Sequence, residues 1–201
     1  MHTLNRKERE RLRHRKEIIE TAERIFSEKS YYLTSIQEIA DAVEFSVGTI
    51  YNFFESKEDL YSKIFQFRFD EYMKMFEDVF ISDDSSLRKI RKINVIKIKF
   101  FEKHKSFFLL YFHSTAGSGM PPGLDESSSK RYDDYLQKIE LVFKEAINTG
   151  KIKQIDPENL AVAFEGLTNA FIFHWGIKKK ESTLSELIPQ IEEIFFKRIL
   201  K

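Results

Sequence analysis

The chain has no cysteine in its 201 residues, which removes disulfides, thiolate-bound zinc and a thiol nucleophile together. Turn formers are scarce too: seven glycines and four prolines stand beside 32% charged residues, a balance that predicts a mostly helical protein. No apolar stretch approaches the roughly 20 residues of a membrane span. The start is charged from Arg6 onward and lacks the apolar core of a secretion signal. A cytoplasmic location is expected. An excess of one charge is also missing: the formal net charge is +1, which argues against bulk electrostatic binding to nucleic acid. The length allows one domain or two small ones, with a substantial core.

The signatures of catalysis are absent as well. Gly117-Ser118-Gly119 is not Gly-x-Ser-x-Gly, and no strand pattern precedes it. His104, His113 and His174 lie far apart in sequence without a metal-ligand spacing among them. No phosphate-cradling glycine loop occurs. The expectation is therefore a non-enzyme with no cofactor and no metal.

What is present is concentrated in Thr34 to Leu60, TSIQEIADAVEFSVGTIYNFFESKEDL. Ser35-x-x-Glu38 has the form of a capping box, and Ile36, Ile39, Ala40 and Val43 recur at the spacing of one helical face. The pattern breaks at Glu44-Phe45. Ser46 can then cap a second helix in which Val47, Ile50 and Phe54 share a face. Ser56 can cap a third. Two short helices joined by a tight turn form a helix-turn-helix, whose second helix enters the DNA major groove. Val47, Gly48, Thr49, Tyr51 and Asn52 cannot all point inward, and they offer groups suited to thymine methyls, phosphates and base edges. A helical hairpin with a solvated face would carry the same residues.

The string as a whole resembles the N-terminal domain of the TetR-type (tetracycline repressor-like) transcriptional regulators. The resemblance rests on Ala22 and Phe26, on Thr34, Ile39 and Ala40, and on Gly48, Thr49, Tyr51, Phe54, Lys57 and Leu60. It covers about a quarter of the chain, from near Lys16 to near Leu60. It implies DNA contact by Thr34, Ser35, Ser46, Val47, Gly48, Thr49, Tyr51, Asn52 and Lys57. The chain also departs from the family. Glycines usual in the turn and after helix 1 are replaced by Glu44 and within Lys29-Ser30-Tyr31; where such a position needs positive φ, another residue costs about 1 kcal/mol. Asn52 and Phe53 stand where the family often has an aromatic followed by histidine.

Charge is uneven. Residues 1–16 hold seven Lys/Arg against two Glu, a net +5, leaving about −4 on the remainder. Such an arm could meet phosphates, or serve as a solubilising tail. A second basic run, Leu87 to Lys105, has eight Lys/Arg and one Glu. It reads as a helix, although NVIKIKF alternates as a strand does. It could lie on a membrane surface, face an anionic ligand, or simply be a solvated face.

Further helices are expected from about Glu8 to Glu28, from Ser56 to about Phe80 with Leu60, Ile64, Phe67 and Tyr72 or Phe76 inward, through Phe107–Phe112, from near Ser127 to Asn148, and from Pro157. A last one begins after the Thr183-x-x-Glu186 capping box. Thr115 to Gly123 is a loop. Ala163, Gly166 and Ala170 form a small-residue strip on a helix that also carries Leu160, Phe164, Leu167, Phe171 and Trp175. The last two helices are apolar enough to predict a homodimer, as the resemblance also implies.

The reading is an all-α protein with a helix-turn-helix DNA-binding domain at 1–55 and a helical ligand-binding and dimerisation domain at 56–201. The function expected is a ligand-responsive regulator, a repressor released from a double-stranded, palindromic operator by a hydrophobic or amphipathic inducer. The inducer would sit among Phe100, Phe101, His104, Phe108, Tyr111, Phe112, Phe164, Phe171 and Trp175, with an acyl chain bearing an anionic head as the preferred subclass. Helix 4, running out of the DNA-binding domain, would act as the lever. The alternative is a binding module using residues 87–105 on membranes or acidic partners.

Overall fold

The structure, a computed structural model, describes residues 5–115, 123–177 and 183–201, with the side chains of 112–115 and 177 left out of the description. Among the described residues the chain is helical, with a single antiparallel bridge, Ile152 to Leu200, as its only extended pairing. It divides into two compact units, one of Met1–Arg68 with Ser106–Leu124, the other of Phe69–Lys105 with Asp125–Lys201.

The first unit opens with α1 (Arg6–Lys29). Asn5 caps it reciprocally: its side chain accepts from Glu8 N at 2.9 Å, and its own N–H donates to the Glu8 carboxylate at 2.9 Å. That cap places the helix start among the basic residues, so the run read as an arm is helical from Arg6 onward. Ile18, Ile19, Ala22, Ile25 and Phe26 are its buried stripe. Against this stripe lie α2 (Ile36–Ala42) and α3 (Val47–Tyr51), which contribute Ile36, Ile39, Ala40 and Ile50. The Ser35 cap is only half a box. Its hydroxyl accepts from Glu38 N at 3.1 Å, but the Glu38 carboxylate is taken by Lys29 of α1. Ser56 caps α4 (Lys57–Ile81) by accepting from Asp59 N at 3.1 Å. The N-terminal part of α4 buries Leu60, Ile64 and Phe65, whereas Phe67, expected inside, is half-buried. Beside it, α6 (Lys105–Thr115) sets Phe107 5.8 Å from Phe65.

In the second unit α5 (Ser86–Lys103) packs on α7 (Glu126–Asn148), and α7 packs on α8 (Pro157–Ile177). The alternating NVIKIKF segment is helical, because Ile90, Ile93, Ile98 and Phe100 form a buried stripe at helical spacing. Asp125 caps α7 and is lowered to about pKa 2 by hydrogen bonds from Ser127 and Ser128. Gly150 ends α7 at φ 69°. Asp156 accepts from Asn159 N at 2.9 Å, with Pro157 in the first helical position. The last helix is capped at Thr183–Glu186 as expected but is composite: a 3-10 turn (Leu184–Leu187), an α turn (Ile188–Ile191), a π turn (Glu192–Phe196) and a final turn (Lys197–Ile199).

Among the described residues, two that are not glycine have positive φ: Ser30 at 76° and Glu44 at 57°. They fall in the two stretches where the resemblance led glycine to be expected. Ser30, with ψ 159°, sits in a region that only glycine visits freely, at a cost of about 1–3 kcal/mol. Glu44 is left-handed α, a milder strain. After discounting the extra freedom of glycine in the unfolded chain, Ser30→Gly should stabilise by about 1 kcal/mol, raising the melting temperature by about 2–4 °C. Glu44→Gly should gain less. Thermal melts followed by circular dichroism check the order; equal or lower melting of Ser30→Gly would contradict the strain argument.

Candidate nucleic-acid interface

α3 is anchored by the burial of Ile50 and, just past its end, Phe54. Fixing those two leaves Ser46, Gly48, Tyr51 and Asn52 exposed, with Val47 and Thr49 half-buried beside them. The Ser46 hydroxyl accepts from Thr49 N at 3.0 Å and lies 2.8 Å from the Thr49 hydroxyl, so the start of the helix is locally self-satisfied. Asn52 is the C-cap, its N–H bonded to Gly48 O. A Cβ on Gly48 would meet only Ser46 Oγ, at 3.8 Å. The fold therefore does not require glycine there, and the bare backbone faces outward.

The other candidates divide. Ser35 is exposed at the start of α2. Thr34 is buried, its hydroxyl donating to Ser30 O at 2.9 Å, so it braces the α1–α2 turn. Lys57 lies over the ring of Tyr31, 4.3 Å from its centroid. The Tyr31 hydroxyl donates to Glu58 at 2.5 Å.

Sequence reasoning expected the basic run to meet phosphates as an arm, but did not foresee that it is helical and held against aromatic rings. Arg11 lies 5.9 Å from the Phe53 ring centroid and Arg15 lies 5.3 Å from that of Phe54. His14 meets Phe45 edge-on at 5.1 Å. The i, i+4 spacing of Arg11 and Arg15 was the available signal. It sets part of the N-terminal positive charge against the end of α3.

The residues proposed for a small-molecule site fall in several places. Phe100 stacks with Phe101, His104 and Tyr72 at 5.4, 4.7 and 4.9 Å. Phe164 is fully buried in a separate cluster with Phe143, Phe195 and Phe196. Trp175 is buried under the Lys105 ammonium, and Phe171 is half-buried. Phe108 (buried) and Tyr111 (39% exposed) belong to the first unit. The Phe112 side chain lies outside the described residues.

The basic helix α5 is spoken for. Arg88 and Lys92 pair with Asp84, Arg91 is bidentate on Glu192, Lys103 pairs with Glu71, and Lys89 donates to Phe80 O. Lys97 is completely buried against Glu165 at 2.6 Å. Its apolar stripe lies in the core, so α5 has no apolar face to lay on a membrane, although Lys99 and parts of Arg88, Lys92 and Lys103 stay exposed.

The sequence signature of the "Bacterial regulatory proteins, tetR family" matches residues 18–64, the span that builds α1 to the first turns of α4. The N-terminal part therefore carries the TetR-type DNA-binding domain. The HTH-type transcriptional regulator YhgD of Bacillus subtilis (strain 168) is 29% identical over 161 residues, covering 80% of this chain and 83% of YhgD. Among solved structures, the ketosteroid transcriptional regulator KstR2 of Mycobacterium tuberculosis superposes with a TM-score of 0.75 at 19% identity, covering 94% of this chain and 95% of that one. FadR of Bacillus subtilis, solved in complex with stearoyl-CoA, gives 0.70 at 17% identity, covering 89% and 96%. Both share the all-helical fold. Among the described residues of this chain, no helix is long and apolar enough to cross a membrane.

The Tyr31–Glu58 bond carries a pH signature. Burial, then the hydrogen bond to the Glu58 carboxylate, push the Tyr31 phenol up to about 12. A phenol raised in the folded state stabilises below its ordinary pKa of about 10, and that contribution is lost as pH rises through 12. Absorbance titration of tyrosinate should show one fewer late-ionising phenol in Tyr31→Phe. An unchanged late portion of the curve would show that the bond does not hold this phenol.

Proposed function

We propose that the chain is a homodimeric repressor that grips a palindromic operator through α3 and lets go when a hydrophobic or amphipathic small molecule binds the helical segment 56–201. The observation that carries the DNA reading is the outward face of Gly48, Tyr51 and Asn52 on a helix pinned from behind by Ile50 and Phe54. Lys57, Ser35 and the N-terminal cations are the phosphate contacts. Residues 1–55 are the DNA-reading part, and α4 carries the chain onward into the second unit. The stearoyl-CoA complex of FadR supports an amphipathic inducer with a long acyl chain. An inducer acts only if it favours one spacing of the two recognition helices over another; in the operator-bound dimer that spacing is about 34 Å, one turn of duplex.

The interface test uses an operator selected from random duplex. Asn52→Ala should relax sequence preference by ~1–3 kcal/mol at the base pairs it reads. Gly48→Ala should stabilise the protein by about 0.5–1 kcal/mol and still weaken operator binding, because its methyl group would stand between backbone and DNA. Fluorescence anisotropy across salt concentrations measures both. If both variants keep the specificity ratio of the parent, α3 is not the reading helix.

The exposed face of α8 supports the dimer reading. Val162, Ala163, Gly166, Asn169, Ala170 and Phe173 make an exposed stripe, and a Cβ on Gly166 meets nothing within 4 Å. Small residues on an open helix face allow another helix to approach closely. Ile194, half exposed on the last helical stretch, adds apolar surface. Gly166→Arg should fold normally, sediment as a monomer and lose affinity for the two-half-site operator. A dimeric Gly166→Arg would place the interface elsewhere.

A further inference from the structure

The second unit hides a polar box inside an otherwise apolar core. Three helices each supply two residues spaced i, i+3, which lie on one face: Asn94 and Lys97 from α5, Tyr132 and Tyr135 from α7, Glu165 and Thr168 from α8. Lys97 Nζ is 2.6 Å from Glu165 Oε2; the Tyr135 hydroxyl donates to Glu165 Oε1 at 2.9 Å, and the Tyr132 hydroxyl lies 3.4 Å from Oε2. Thr168 donates to Phe164 O at 2.9 Å and lies 3.4 Å from Asn94 Oδ1. Lys97 and Thr168 are 0% exposed and Asn94 is 2% exposed, while Tyr132 is half-buried and opens the box toward the surface.

The donors and acceptors do not balance. An ammonium has three N–H groups and an amide two. Among the described residues, Lys97 spends one on Glu165, and the Nδ2 group of Asn94 spends none. The Glu165 carboxylate is already surrounded by donors. Donors outnumber acceptors in the box, so the partner it suits is an acceptor.

We propose that this box is the polar end of the effector site and that it takes a neutral acceptor, a carbonyl oxygen on an otherwise apolar molecule. This rests on the small-molecule reading above. Charge selects the carbonyl. Lys97 and Glu165 already cancel, so a ligand carboxylate would add an uncompensated buried charge. A ligand ammonium would meet the ammonium already there. Burial lowers the Lys97 pKa, and Glu165, its counter-ion at 2.6 Å, opposes that shift. The apolar body has a matching surface: from Tyr135 a run of stacked rings passes through Phe76, Tyr72 and Phe100 to Phe101, with centroids 4.8 to 5.4 Å apart. The anionic head favoured by composition is thereby replaced by an uncharged one.

The test titrates the full-length protein with 2-decanone, decanoate, decylammonium and decane, following the fluorescence of Trp175, the one tryptophan. The ketone should bind about tenfold or more tightly than the other three, the margin of one charge-assisted hydrogen bond. Lys97→Met combined with Glu165→Gln leaves no unpaired charge and should bind ketone and decane alike. Asn94→Leu, which spares the ion pair, should lose several-fold for the ketone only; it stands as the test if the double variant fails to fold by circular dichroism. Tighter binding of decanoate, a ketone preference that survives loss of Lys97 or Asn94, or no saturable binding of 2-decanone each overturns the proposal. Failure of the folded protein to select any operator would instead strike the proposed function and leave this result readable.

Discussion

The DNA-binding unit hangs on one buried ion pair. Arg68 of α4 donates to Glu23 of α1 at 2.7 Å, with both side chains about 95% removed from solvent, and its other arm reaches Glu20 at 3.7 Å. Removing one member of such a pair strands a charge in the core, a cost of about 3–5 kcal/mol. Exposed pairs on the same helix, such as Arg6–Glu10, are worth little. The pair fixes α1 against α4, and α1 carries the Ile18, Ala22 and Phe26 surface on which α2 rests, with α3 packed on α2. A recognition helix of five residues has almost no stability of its own. Its orientation is borrowed from this scaffold, through Ile50 and Phe54.

The two basic stretches show how composition alone leaves charge undecided. Both are dense in Lys and Arg, yet they end in opposite situations. In α5, Asp84 and Phe80 O are near neighbours, but Arg91 and Lys97 are met by Glu192 and Glu165, 101 and 68 residues away, and no local pattern could reveal those two pairings. In α1 the partners are aromatic, and Arg11 and Arg15 keep their charge while stacking on Phe53 and Phe54. Cation–π contact orients a guanidinium without neutralising it, which leaves it available to phosphate.

Much of the helix-turn-helix was legible because its information is local. Caps at Ser35, Ser46 and Ser56, the turn at Glu44-Phe45 and the apolar spacing all act within a few residues. The same holds for the cap at Thr183 and the start at Pro157. What could not be read was pairing across the fold. Glu38 fits a capping box by spacing, but Lys29 lies nearer its carboxylate. Phe65 displaced Phe67 from the core because the rotation of a long helix is set by its neighbours. Lys97 looked like one more surface lysine in a basic run. Only the convergence of α5, α7 and α8 makes it the centre of a buried box.

The π turn at Glu192–Phe196 has a consequence for how this chain tolerates change in length. A π turn holds one residue more than an α turn, and here it lets the adjacent Phe195 and Phe196 both lie in the core. Arg91 clasps its two ends at once, bidentate on Glu192 and 5.3 Å from the Phe196 ring centroid. Deleting one residue in this turn would give a more regular helix, and it would rotate everything beyond by about 100°. Leu200 would then leave its bridge to Ile152, and Ile199 would lose the carbonyl bond it accepts from Lys153 at 2.8 Å. The irregular turn is the register key of the carboxyl-terminal segment: a shorter, better helix would be the wrong one.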